Sequence, residues 1–389
     1  MEKIYLDNNA TTKVHPEVQE AMLPFFQEIY GNASSVHAFG REAKKHLEEA
    51  RRKVASMLGA SSPDEIVFTS GGTESDNFAI KGVASALKDK GKHIITSSVE
   101  HSAVLNTCKL LEKQGFKVTY LGVDQYGLID PEELKKSITD ETILVSIMAA
   151  NNETGTIMPI EEIGNICEEK GAIFHADAVQ MAGKLPFDVQ KIKTNLASIS
   201  GHKIHGPKGV GALYIRKGTK IDPYQHGGHH EKGRRAGTEN VPGIVGFAKA
   251  CEIAAGSGEK HYKEVKRLRD LLHEKITEKI SHTQLNGHPE KRLPNTLNIS
   301  FQYLEGESIL LSLDLEGIAV STGSACTSGS LEPSHVLKSM GMEPLFLQGS
   351  IRFSLSMFNT EQDISYVMEK LPPIIERLRK MSPVYEEDK

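Results

Sequence analysis

Thr142-Ile143-Leu144-Val145-Ser146-Ile147, then Ile160 to Lys170, then Ala172-Ile173-Phe174-His175 form a strand-length apolar run, a helically spaced segment and a second apolar run. Two strands joined by a helix of that length predict a parallel pair with a crossover. Neither run alternates polar with apolar, so both faces of the sheet are expected to be covered. The same alternation extends towards the N-terminus. Residues 41–58 predict a helix with Leu47, Ala50, Val54 and Leu58 on one face, and Ile66-Val67-Phe68 predict a strand. Helix 74–88, strand His93-Ile94-Ile95-Thr96, helix 101–114, strand Lys117-Val118-Thr119-Tyr120-Leu121 and helix 131–138 follow. The fold class is therefore α/β, a mostly parallel sheet under helices. Gly256-Ser257-Gly258 marks a break in this pattern, after which Val265, Leu268, Leu272 and Ile276 predict a helix over about 259–280. The texture then turns to an α+β mixture, which predicts a second, smaller domain. The acidic end, Glu386-Glu387-Asp388-Lys389, reads as a frayed tail.

A chain of 389 residues is long enough for two domains. Its 46 Lys and Arg against 51 Asp and Glu leave a formal charge of −5, which offers no electrostatic footprint for nucleic acid or an acidic membrane surface. No long apolar run predicts a bilayer span, and Met1 to Asp7 lack the basic and apolar regions of a secretory leader. The four cysteines, at 108, 167, 251 and 326, form no CxxC pair. They are read as free thiols in a reducing cytoplasm. Cys108, Cys167 and Cys251 lie in apolar, helix-like contexts; Cys326 does not.

Three segments have the texture of a site. Thr69-Ser70-Gly71-Gly72-Thr73-Glu74-Ser75-Asp76-Asn77 joins a strand to a helix, where glycines admit close approach and free N–H groups attract an anion. A tight turn capped by Thr73 is the plainer reading of that segment. Asp177, in Ala176-Asp177-Ala178-Val179-Gln180, stands at the carboxyl end of an apolar strand, where α/β sheets bind ligands. A carboxylate there needs a compensating cation or donors, and a protonated ring nitrogen would serve; helix capping is the alternative. Lys203 lies in a loop of small residues, Ser200-Gly201-His202-Lys203-Ile204-His205-Gly206, and a partly desolvated lysine forms Schiff bases. Zinc at His202 and His205 lacks a third ligand at suitable spacing, and His226, His229 and His230 read as a glycine-flanked loop. Taken together, the three segments fit pyridoxal 5′-phosphate: anion turn for its phosphate, Asp177 for its ring nitrogen, Lys203 for its aldehyde.

The chain resembles the cysteine desulfurases of the NifS/IscS type, within the aspartate-aminotransferase (type I) fold of pyridoxal-phosphate enzymes. The resemblance runs nearly end to end. It includes Tyr5-Leu6-Asp7-Asn8-Asn9-Ala10-Thr11-Thr12, the 69–77 turn, Glu100-His101, Ala150-Asn151-Asn152-Glu153-Thr154-Gly155, Asp177 with Gln180, and Ser200 to Lys203. Arg235-Ala236-Gly237-Thr238-Glu239-Asn240 and Ser321-Thr322-Gly323-Ser324-Ala325-Cys326-Thr327-Ser328-Gly329 continue it. The last segment, with Leu331-Glu332-Pro333-Ser334-His335, is similar to the group I cysteine loop, most like that of nitrogen-fixation-type members.

The resemblance implies a large domain over 14–255 around a seven-stranded-type sheet. It implies a small domain of 1–13 and 256–389 carrying a mobile cysteine loop at about 321–333. It also implies roles. Lys203 would hold the cofactor covalently and move protons, Asp177 would pair with the ring N–H, Gln180 would bond the ring hydroxyl, and His101 would stack on the ring and assist proton transfer. Gly72, Thr73, Ser200 and His202 would cradle the phosphate, joined by Thr238 from the other subunit of a homodimer. Asn152 would contact the cofactor and, with Arg352, the substrate carboxylate, for which a guanidinium fork is suited. Cys326 would attack the substrate sulfur and carry it as a persulfide. No metal ligand is implied, beyond Cys326 as a transient iron–sulfur ligand at a scaffold. The expected activity converts L-cysteine to L-alanine, with sulfur passed to an iron–sulfur scaffold protein or another acceptor. A selenocysteine lyase, a sulfide-releasing C–S lyase and a non-catalytic sulfur-trafficking scaffold are the alternatives.

Overall fold

The structure, a computed structural model, describes residues 3–322, 333–383 and 385, without the side chains at 257–259. In chain order its strands are β1 (Ile4–Tyr5), β2 (Ile66–Thr69), β3 (His93–Ser97), β4 (Lys117–Leu121), β5 (Thr142–Met148), β6 (Ile173–Asp177), β7 (Leu196–Ser200), β8 (Gly211–Ile215), β9 (Thr283–Leu285), β10 (Thr296–Phe301), β11 (Ile318–Ala319) and β12 (Ser350–Ser354).

Seven of these form one sheet in the order β2-β8-β7-β6-β5-β3-β4. β8 runs antiparallel to both its neighbours and every other pairing is parallel. All residues of β3, β5 and β7 are buried, as strands covered on both faces require. One apolar cluster, with Leu47, Val54, Phe174 and Phe247, covers one face. A second, with Phe78, Ile80, Val83 and Leu111, covers the other. Because the parallel strands point the same way, Thr69, Ser97, Met148, Asp177 and Ser200 all end at one edge of the sheet. That edge is where ligands bind in open α/β sheets.

A third cluster joins Ile4 and Leu6 to Leu272, Leu297, Phe353 and Leu371. It packs around the antiparallel sheet β12-β10-β9 and the parallel pair β1-β11. The N-terminal strand thereby reaches the far end of the chain, and a bridge from Asp7 to Ser354 delivers the residues that follow to the sheet edge.

The structure corrects one expectation about the chain. No helix starts near 259: a single helix runs from Val241 to Lys279, through Gly256-Ser257-Gly258. Glycine in a helix costs about 1 kcal/mol, a penalty rather than a stop. Burial on both sides outweighs it, since Phe247 and Cys251 pack into the first cluster while Val265, Leu268 and Leu272 pack into the third. Two further boundaries move by a few residues. The helix at 72 starts two residues early because Gly71, at φ +155°, turns the chain where a side chain is disfavoured. The helix Ala38–Leu58 starts at 38 because the His37 side chain accepts the N–H of Gly40.

Candidate active site

Side chains from the sheet edge, the N-terminal segment and β12 close around a cavity of about 300 Å³. A larger cavity of about 400 Å³ is lined mainly by apolar groups such as Met57, Leu185 and Phe187 and gathers no carboxylate.

One end of the first cavity is built for an anion. The helix Gly72–Leu87 begins there with no side chain capping its first N–H groups, which have no partner within the helix. Ser200, at the end of β7, lines the same end, and its buried Oγ has no hydrogen-bond partner. A Cβ at Gly72 would lie 2.7 Å from Val179 Cγ2, so the close approach of backbone to neighbour holds only for glycine. Free helix N–H groups beside an orphaned buried hydroxyl suit a phosphate.

A second wall is acidic. Asp177 ends β6, and its Oδ1 accepts the N–H of Val179 at 3.0 Å. Asp76, on the helix Gly72–Leu87, lines the cavity too, and its buried Oδ1 has no partner. Glu100 is fully buried behind them; its Oε1 accepts Ser97 Oγ at 2.6 Å and the Met148 N–H at 3.0 Å. Burial raises all three carboxyls. Asp177 adds to the rise at Asp76, Ser97 and Met148 oppose it at Glu100, which reaches about 8, and His101 and Lys203 oppose it at Asp177. His175 lies 3.7 Å from Asp76, but burial drives its imidazole down to about 3, so it is no counter-ion. Its nitrogens meet Ser146 and Ser198 hydroxyls instead, each at 2.9 Å.

The opposite wall is cationic. Lys203 sits in the turn Gly201–Lys203 after β7 and donates to the backbone oxygens of Asn9 at 2.5 Å and Ala10 at 2.9 Å. Arg352, from β12, donates to Asp7 Oδ1 at 2.8 Å and to the Asn152 oxygen at 3.0 Å, while its buried Nε has no partner. His101 caps the helix Ser102–Lys113 by accepting the Ala103 N–H at 3.1 Å. Burial lowers its imidazole, against the pull of Asp177, which favours the neutral ring. Burial likewise takes His202 to about 4, with Lys203 adding to the effect. Among the described residues, no group of three or more His, Cys, Asp or Glu is arranged to hold a metal ion.

The structure thus gathers Gly72, Thr73, His101, Asn152, Asp177, Gln180, Ser200, His202, Lys203 and Arg352 around one cavity. Thr238 is exposed and is not part of this lining. Cys326 lies outside the described residues, as does most of its loop. Cys108, Cys167 and Cys251 are buried. Sequence reasoning assigned no role to Asp76, Glu100, Asp7 or Asn9. Asp76 carried a readable signal, because it falls on the buried helical face of Ala79, Ile80, Val83 and Leu87. Asp7 and Asn9 carried none, since the partners of their side chains are distant in sequence.

The residues fit pyridoxal 5′-phosphate on the structure's own terms. The anion end has orphan donors, the acidic wall presents the buried carboxyl of Asp177, and the Lys203 amine lines the same cavity. Comparisons with known proteins agree. The aminotransferase class-V family profile matches residues 4–367. A cysteine desulfurase IscS of Methanosarcina thermophila is 57% identical over 381 residues, covering 98% of this chain and 94% of that relative. The solved structure of a NifS-like protein superposes with a TM-score of 0.92 at 45% identity, covering 97% of this chain and 100% of that one. A structure of SspA in complex with cysteine gives a TM-score of 0.81 at 37% identity, covering 92% of this chain and 100% of that one.

Proposed function

The chain belongs to the aminotransferase class-V family, and from that membership and the cavity we propose that it is a pyridoxal 5′-phosphate-dependent cysteine desulfurase. It converts L-cysteine to L-alanine and supplies sulfur for iron–sulfur cluster assembly. The observation that carries this reading is the convergence of Lys203, Asp177 and the orphan Ser200 hydroxyl on one cavity.

When bound, the cofactor supplies an electron sink for the charge developed at the substrate α-carbon. Gly72, Thr73, Ser200 and His202 would hold its phosphate, Asp177 would pair with its ring N–H, Gln180 would bond its ring oxygen, and Lys203 would hold its aldehyde carbon. The buried carboxylate of Asp177 would be satisfied by the ring cation, beyond the pull that His101 and Lys203 exert on it. Lys203 would move the proton at the α-carbon, with His101, whose imidazole burial lowers, placed to assist the transfer. Arg352 and Asn152 receive the substrate carboxylate, Asp7 giving up its hold on the guanidinium. Cys326 attacks as a thiolate: its Sγ bonds to the substrate sulfur as the carbon–sulfur bond breaks, and alanine leaves once its carbon is protonated.

We assign the lobes as residues 14–255 and, together, 1–13 with 256–389. The active unit is a homodimer, with Thr238 reaching the phosphate of the other subunit. The exposed Phe26, Tyr30, Val36 and Phe39, a large apolar surface in one stretch, support such an interface. The persulfide passes to an iron–sulfur scaffold or another acceptor in the cytoplasm. Among the described residues, no helix is long and apolar enough to cross a membrane.

Incubation with L-cysteine followed by peptide mass mapping tests the reading. One added sulfur on Cys326 is expected in the wild type, and none at any cysteine in Cys326→Ala. An unchanged persulfide yield in that variant transfers the role to another thiol; equal turnover without any persulfide makes the enzyme a sulfide-releasing lyase.

A further inference from the structure

Lys184 follows Gly183, which turns the chain at φ +80°. Its side chain is 4% exposed, yet among the described residues it pairs with no carboxylate. A buried amine without a counter-ion is costly, and a methionine of similar length would fill the space. What the amine does have is two oxygen partners. Its Nζ lies 2.9 Å from Gln180 Oε1 and 3.4 Å from Asn9 Oδ1.

Gln180 is thereby gripped at both ends of its amide. Its Nε2 donates at 3.0 Å to the backbone oxygen of Asn9, which as a carbonyl can only accept. Its Oε1 takes the Lys184 N–H. Flipping the amide would set an oxygen against the Asn9 carbonyl, so one orientation is selected. An amide nitrogen has two N–H groups, and with one on Asn9 the second remains for the cavity that Gln180 lines. Asn9 is itself oriented: its Oδ1 accepts Asn295 Nδ2 at 2.9 Å, and its Nδ2 donates to Thr296 Oγ1 at 2.9 Å and the Asn152 oxygen at 3.1 Å. The backbone oxygen of Asn9 that receives Gln180 also receives Lys203.

We propose that Lys184 is a positioning residue: from behind the cavity wall it holds the Gln180 amide so that an N–H, not a carbonyl, faces the oxygen on the cofactor ring. Burial, with Lys203 and Arg352 nearby, pushes the Lys184 amine well below the ordinary lysine value, and in either protonation state the nitrogen carries an N–H for Gln180 Oε1. The inference rests on the reading of the cavity as a pyridoxal 5′-phosphate site. It accounts for a buried lysine that touches neither substrate nor cofactor.

The test compares Lys184→Met, Gln180→Ala and the double variant as apo-proteins titrated with pyridoxal 5′-phosphate. The readouts are the dissociation constant, the position of the visible band and the apo-protein Tm. Lys184→Met is expected to weaken binding about tenfold, the loss of one buried hydrogen bond, and to move the band towards that of Gln180→Ala. If Lys184 acts through Gln180, the double variant binds no more weakly than Gln180→Ala alone. Wild-type affinity and band position in Lys184→Met, or additive losses in the double variant, overturn the proposal. Should Lys184→Met not fold, a crystal structure of the wild-type holoenzyme decides. Lys184 Nζ on Gln180 Oε1 with Nε2 on the ring oxygen is expected; a Lys184 turned away from Gln180 overturns it. Wild-type protein that takes up no pyridoxal 5′-phosphate overturns the functional reading as well, whereas uptake with an unmoved Lys184→Met removes only this proposal.

Discussion

The acidic and cationic walls of the cavity differ in burial and in how they are satisfied: Asp76, Glu100 and Asp177 are buried, whereas Lys203 is half-buried. Lys203 and Arg352 are met by backbone oxygens of Asn9, Ala10 and Asn152 and by Asp7, all fixed by the fold. Asp76, Glu100 and Asp177 face one another with a few N–H and O–H donors; of the three only Asp177 is drawn down by His101 and Lys203, and Asp76 Oδ1 has no hydrogen-bond partner. Both walls keep an orphan, Arg352 Nε on one and Asp76 Oδ1 on the other, but the cations are held by direct oxygen partners whereas burial pushes the carboxyls upward. A site that holds its cations with its own oxygens, and leaves its carboxyls raised by burial, specifies both the polarity and the orientation of what binds.

Removing the amine of the cationic wall should have the largest effect. Lys203→Ala is expected to lose the visible absorbance of the covalently held cofactor and to lower turnover by at least ~10³-fold, within the range for a lost proton-transfer group. Wild-type turnover in that variant would remove Lys203 from the chemistry. Asp177→Asn sharpens the contrast from the other side. It leaves the shape but takes the charge that answers the ring N–H, so kcat should fall roughly 10²–10³-fold while the apo-protein becomes no less stable. An apo-protein markedly destabilised by that change would mean that the acidic wall is satisfied without a ligand.

The smallest effect concerns pH. Burial holds the Glu100 carboxyl at about 8, above its unfolded value of about 4.3. The stability it contributes is therefore full below about pH 4.3 and is lost as pH rises through about 8. Glu100→Gln should flatten the decline of the apo-protein Tm between about pH 5 and 8, a difference of about 2–4 °C at the upper end. Parallel Tm curves for the two proteins would place the burden on other groups.

The βαβ alternation was legible because parallel strands buried on both faces must be continuously apolar, as Thr142–Met148 is; the edge strand Lys117–Leu121 and the helix Ile160–Lys170 agree to the residue. The small-residue turns and the strand-end aspartate were legible because each site residue there is marked by its own neighbours. Gly256-Ser257-Gly258 misled, since local propensity is weaker than the burial of Cys251 and Val265 on either side. Asp7, Asn9 and Lys184 were not legible as site residues. Nothing beside Lys184 in the sequence distinguishes it from a solvated lysine.

The sequence by itself determined the fold class, the edge of the sheet that carries the cavity, and the marked segments, with Gly72, Thr73, Asp177, Ser200 and Lys203, that gather there. These depend on periodicity and on nearest neighbours. The tertiary structure alone decided that Asp7 holds Arg352 across 345 residues and that Asn9 receives Lys203 across 194. It also buried Lys184 against Gln180. Such pairs are set by how the N-terminal segment threads between the two apolar clusters, and a hydrogen bond between residues so far apart leaves no periodicity to read.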